Sequence, residues 1–252
     1  MLLGEPSRTQ GDVNFALFGI PVRIHPFFWL IGLLLGMRAS QTVPAMLVWI
    51  AAFFLGILVH ELGHALVMRA FGLHPWITLY GMGGMASYDP AEAHHVRADS
   101  TMRQIFISAA GPGAGFLLAV AVVAGILLSG HRLGYYIGLP FGLQVGLFPG
   151  EIVGNVQLTW FINDILFVTV VYGILNLLPV FPLDGGQISR EILLKIMPRD
   201  GIHHSLMLSI VTAGSLALFG LLHGMYFLAF LFGYLAFSSY QALQYYNARR
   251  PW

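Results

Sequence analysis

Residues 43–64 read VPAMLVWIAAFFLGILVHELGH, and this stretch decides the fold. Residues 43–59 carry no charge and, continued through residue 71, form a segment long enough to cross a bilayer that needs about 20 apolar residues. The uncharged run ends in His60-Glu61-Leu62-Gly63-His64. On a helix, residues four apart share a face, so both imidazoles can bind one zinc ion, and Glu61 beside them can reach a zinc-bound water as general base. With 10 histidines in 252 residues, the HExxH pattern is expected by chance roughly 0.008 times. Two histidines and a glutamate are also costly to place in lipid without a use.

Composition sets the class. The chain is 57% hydrophobic and 9% charged, against about 25% charged in soluble domains, which indicates an integral membrane protein. The net charge of +1 and the lack of a basic run exclude nucleic-acid tracking. Cysteine is absent, so any zinc must be held by His, Asp or Glu. The polar N-terminal residues 1–13 have no apolar core of the kind a cleavable signal requires.

Hydropathy predicts an all-α polytopic membrane protein with about six transmembrane helices, at 26–37, 43–71, 105–129, 158–180, 206–222 and 225–246. The first is short. Ten of the 12 basic residues fall on one side of this arrangement, leaving only Arg38 and Arg132 on the other. By the positive-inside rule both termini are cytoplasmic. His60 then lies nine residues before Arg69, roughly 13 Å inside the cytoplasmic boundary at the helical rise. A small β element is expected after the second span. Trp76-Ile77-Thr78-Leu79-Tyr80 alternates with β-rich residues and reads as a strand, with an edge available to pair with an unwound peptide.

Catalytic zinc sites use three protein ligands and leave the fourth position to water. The fourth span runs toward the same side as the second and ends Asn176-Leu177-Leu178-Pro179-Val180-Phe181-Pro182-Leu183-Asp184-Gly185-Gly186. Two prolines stop the helix and the glycine pair permits a sharp turn. An acidic residue at that depth is a functional candidate.

With these motifs the chain resembles the site-2 protease family of intramembrane zinc metalloproteases. The resemblance rests on HELGH at 60–64 and on Asn176…Pro179…Pro182-Leu183-Asp184-Gly185-Gly186. Weaker matches are Gly19-Ile20-Pro21-Val22-Arg23-Ile24-His25, Gly81-Met82-Gly83-Gly84 and Gly111-Pro112-Gly113. It implies His60, His64 and Asp184 as ligands of one zinc ion and Glu61 as catalytic base. It also implies that Asn176 positions the substrate or polarises its carbonyl. The implied substrates are transmembrane segments of other membrane proteins. Many members carry a PDZ insertion or a CBS domain; neither is expected in residues 1–252, which read as a minimal form.

Other residues have plainer readings. Gly83 and Gly84 are either turn residues or substrate contacts. Gly111, Gly113 and Gly115 let helices pack closely. Asn163 and Asp164 are structural or interfacial, and His25, His74, His94, His95, His203, His204 and His223 are interfacial or loop residues. The expectation is one intramembrane metalloprotease domain over 1–252, multi-pass in the cell (inner) membrane, its active site near the cytoplasmic side. Its partners are lipid and transmembrane protein substrates, with oligomeric state open. A metal-binding transporter would give Glu61 no role and would show paired repeats with broken helices. A catalytically silent membrane-protein binder would not need the intact ligand set.

Overall fold

The computed structural model describes residues 5–37, 42–93, 100–138 and 142–248. Arg38, Arg97, Arg249 and Arg250 of the orientation argument lie outside them, as do His94 and His95. In chain order the elements are β1 (Val13–Leu17), β2 (Ile20–Ile24), α1 (Pro26–Gly36), α2 (Val43–Ala70), β3 (Trp76–Tyr80), β4 (Gly83–Ser87) and α3 (Pro90–Ala93). Next come α4 (Ser100–Leu128), β5 (Leu133–Gly138), β6 (Gly142–Leu147), α5 (Val156–Asn176), α6 (Asp184–Ile196), α7 (Gly201–Leu222) and α8 (Tyr226–Ala248). Among the described residues five helices, α2, α4, α5, α7 and α8, are long and apolar enough to cross a membrane. The first expected span is α1, whose 11 residues rise only ~16 Å against a hydrocarbon core of about 30 Å. Its described length alone falls short of that core.

The chain divides into two compact units, Met1–Arg97 with Ala110–Gly173, and Ala98–Ala109 with Ile174–Trp252. The first contains a four-stranded sheet in the order β1-β2-β3-β4. The outer pairs are antiparallel, and β2 and β3 run parallel. The sequence pattern anticipates β3 but leaves the N-terminal segment irregular, although Ile20, Val22 and Ile24 alternate toward the interior. They pack with Ile77 and Leu79 against Phe28 of α1 and Trp49, Phe53 and Ile57 of α2. His25 is not a loop residue: its Nδ1 accepts from the Phe27 N–H at 3.2 Å and caps α1, whose first residue is Pro26.

Arg23 points from β2 into a polar cluster. It donates to Glu5 at 2.8 Å, to Asp12 at 3.0 Å and to the Pro6 carbonyl at 2.8 Å, while the Thr78 hydroxyl donates to Glu5 at 2.7 Å. A buried guanidinium is tolerable only when its donors are used. The hydrogen bond from Thr9, with the Arg23 contact, holds the Asp12 carboxyl at about 2. Burial pushes Glu5 upward, but hydrogen bonds from Thr78, Arg23 and Trp76 outweigh it and leave its pKa lowered. A second hairpin, β5–β6, is tied to α5 by the Leu147 N–H, which donates to Asn163 Oδ1 at 2.9 Å. Asn163 therefore has a structural job, as its position at the start of a span suggests.

In the second unit, α7 and α8 pack together, and Gly220 lies where a Cβ would be 2.8 Å from the Ala229 nitrogen. Two buried serines reach the proline-rich segment before α6. The Phe181 N–H donates to Ser209 Oγ at 3.0 Å, and Ser239 Oγ donates to the Phe181 carbonyl at 3.3 Å. Non-helical backbone in a membrane protein needs such partners. Asp184-Gly185-Gly186 does not turn away after the prolines; it opens the amphipathic helix α6. The glycines serve a close approach: a Cβ on Gly186 would stand 2.5 Å from the Phe181 nitrogen, and one on Gly185 would meet the Leu177 carbonyl.

Candidate metal centre

The histidine pair belongs to the first unit and lies in the C-terminal half of α2. His60 and His64 are one turn apart, and their Nε2 atoms lie 3.2 Å from each other with ring centroids 4.9 Å apart at 76°. His60, Glu61 and His64 are 2%, 3% and 6% exposed. Two imidazole nitrogens bound tetrahedrally to one zinc at ~2.0–2.1 Å are separated by roughly 3.3 Å. The pair therefore fits a zinc ion without rearrangement, and nitrogen donors are the type zinc prefers.

Space for the pair comes from glycines on both sides. A Cβ on Gly111 of α4 would stand 2.7 Å from His60 Nε2 and closer still to His64 Nε2. Gly63, between the two histidines, lets α2 touch the Ala110 carbonyl and approach Ala114, whose Cβ would be 2.7 Å from an added Cβ. Farther from the site, Gly56 accepts Val168 of α5 in the same way, with an added Cβ 2.6 Å from its Cγ1. Small residues at these positions set how near the spans approach the histidines. The sequence pattern assigns Gly111 to packing alone. Its absent side chain is the floor of the histidine pocket, which a single sequence does not reveal.

Glu61 faces the sheet. A Cβ on Gly84 of β4 would lie 2.5 Å from Glu61 Oε1, so the strand can approach the carboxylate only as glycine. Gly83 has φ 114°, a left-handed conformation that glycine adopts without steric cost. Tyr172 of α5 stands beside His60 and Gly83. Its ring meets the His60 ring edge-on at 4.7 Å and 70°, and its hydroxyl would be 2.6 Å from a Cβ on Gly83. Asn176 and Asp184 belong to the second unit. Asn176 ends α5 and Asp184 is the first residue of α6; both side chains are buried. A carboxylate in the first turn is favoured by the helix dipole.

With five long apolar helices, the protein is a multi-pass membrane protein. The profile of peptidase family M50 matches residues 48–221, well over half the chain. The zinc metalloprotease MJ0392 of Methanocaldococcus jannaschii is 25% identical over 215 residues, covering 84% of this chain and 53% of that protein. The chain thus spans about half the length of the curated relatives it matches. The site-2 protease from the same organism superposes with a TM-score of 0.58 at 21% identity, covering 92% of this chain and 95% of that one. The two share a fold.

Proposed function

We propose, from the premise that the chain belongs to peptidase family M50, that it is a zinc-dependent endopeptidase cutting transmembrane segments of other membrane proteins. One observation carries the reading. Two imidazole Nε2 atoms converge at 3.2 Å on a buried turn that also bears a glutamate, inside a 28-residue apolar helix. His60, His64 and Asp184 are the proposed ligands of one zinc. The choice of Asp184 is supported by the lack of cysteine and by a buried carboxylate at the head of α6.

The bound ion would polarise the scissile carbonyl and acidify its water. Glu61 takes the proton of the attacking water and delivers it to the leaving amide nitrogen. Asn176 donates to the developing oxyanion or orients the carbonyl. A helical substrate must unwind to expose its carbonyls. The strand Trp76–Tyr80 has no free edge for it, being flanked by β2 on one side and β4 on the other. The outer edge of β4 is unpaired among the described residues and begins at Gly83-Gly84, against Glu61. We place the unwound segment there, with Gly83 and Gly84 along its backbone. We also place the enzyme in the cell membrane, with termini and site toward the cytoplasm.

The test uses proteoliposomes holding the enzyme and a fluorescent transmembrane peptide. Cleavage should stop on chelation and return with zinc. Asp184→Ala should lose both metal and cleavage, while Asn176→Ala keeps the metal and loses roughly 10²–10³ in kcat. Cleavage that persists after the zinc has been stripped contradicts the reading, as does zinc uptake into vesicles without peptide hydrolysis.

A further inference from the structure

The turn between β1 and β2 pairs Leu17 with Ile20, leaving a two-residue loop of Phe18 and Gly19. Both have positive φ, 52° and 77°. This tight hairpin turn favours Asn-Gly, because the first position is left-handed and a bulky side chain is strained in it. Phe18 occupies it nonetheless and is 68% exposed. Val13 and Phe15 of β1 are exposed as well. A strained, solvent-facing aromatic gains nothing from water, so its benefit must come from a partner.

The position of the turn identifies that partner. Arg69 Nη1 donates to the Phe18 carbonyl at 2.5 Å, tying the hairpin tip to the last turn of α2. The 28 residues of α2 rise ~42 Å, the full thickness of a bilayer with its headgroup layers, about 40–45 Å. A helix of this length that spans the bilayer carries Arg69, in its last turn, to the headgroup level, where arginine and aromatic residues settle together. Beside the tip is a groove of about 490 Å³ lined by Ile20, Pro21, Leu73 and Trp76, with Arg69 and His74 also contributing. Its apolar floor and the Arg69 guanidinium match the mixed chemistry of the lipid interface.

We infer that the β1–β2 turn is a foot that stands in the bilayer interface, Phe18 among the glycerol and upper acyl groups and Arg69 at the phosphates. The foot fixes the depth of the sheet, and with it β4, relative to the lipid. It depends on the membrane setting and not on the proposed peptidase chemistry.

The chain has no cysteine, so Phe18→Cys carries a unique spin label. In zinc-loaded enzyme reconstituted in phosphatidylcholine–phosphatidylglycerol nanodiscs, collision with oxygen should exceed collision with a water-soluble nickel chelate. The values should fall between those of free label and of Leu117→Cys, a lipid-facing reference on α4. Nickel accessibility equal to that of free label overturns the inference. Phe18→Asn gives a second test by sign. Asparagine suits the turn better, so geometry alone predicts slower amide hydrogen exchange across β1 and β2. Loss of the foot predicts exchange about tenfold faster in the nanodisc. Slower or unchanged exchange overturns the inference even if the label disturbs the turn.

Discussion

Glu61→Gln should leave zinc bound at the wild-type level and lower kcat for a transmembrane peptide by about 10²–10⁴-fold, the usual contribution of a positioned general base. Glutamine keeps the volume and much of the hydrogen bonding of glutamate, so the buried turn of α2 stays as it is. It cannot accept the proton of the attacking water. KM should barely move, because the residue acts on water and not on substrate binding. Glu61→Asp keeps the carboxylate but withdraws it by one methylene, and a misplacement on that scale costs about 10²-fold. The two variants share one measurement, zinc content alongside single-turnover cleavage in proteoliposomes. Loss of zinc from Glu61→Gln would make Glu61 a ligand; normal cleavage would remove it from the mechanism.

Gly111→Ala is the second large effect, and it comes from a residue that performs no chemistry. The new methyl would occupy the place of two imidazole edges, 2.7 Å from His60 Nε2 and nearer to His64 Nε2. Retreat of α4 would open the close packing of Gly63 on the Ala110 carbonyl across the same interface. The rings must turn instead, and turned rings no longer converge. Zinc affinity should fall, with a loss of about 10²-fold in cleavage and a modest cost of about 1–3 kcal/mol in stability, as for other overpacked interiors. Gly113→Ala is the control: a Cβ there meets nothing within 4 Å, so metal and cleavage should be retained. Equal behaviour of the two variants in a competitive chelator titration would show that the cradle is unimportant.

Much of this was legible in the sequence, for physical reasons that differ between elements. The long spans were legible because lipid leaves a buried chain few ways to satisfy its backbone, and an apolar run of sufficient length is its signature. Helix α1 shows the limit of that signature, because hydropathy registers apolarity and not reach. The histidine pair was legible because ligand spacing on a helix is local. The alternation of Trp76–Tyr80 showed a strand, but which edge remains free depends on β2, more than fifty residues earlier, and was not visible. Helix α6 was hidden by its opening glycines, which read as a turn; tertiary contact with residues 177–181 overrides their weak propensity. Gly111 and Tyr172 were missed for the same kind of reason. A glycine does not name the side chain it makes room for, and a tyrosine in a span does not name the ring it leans on.

The most direct test of the central claim is X-ray absorption at the zinc K edge of the purified, membrane-reconstituted protein. The account predicts one zinc per chain with four ligands, two imidazole nitrogens and two oxygens, at ~2.0–2.1 Å. A spectrum with no imidazole scattering, or with a third imidazole in place of an oxygen, would contradict it.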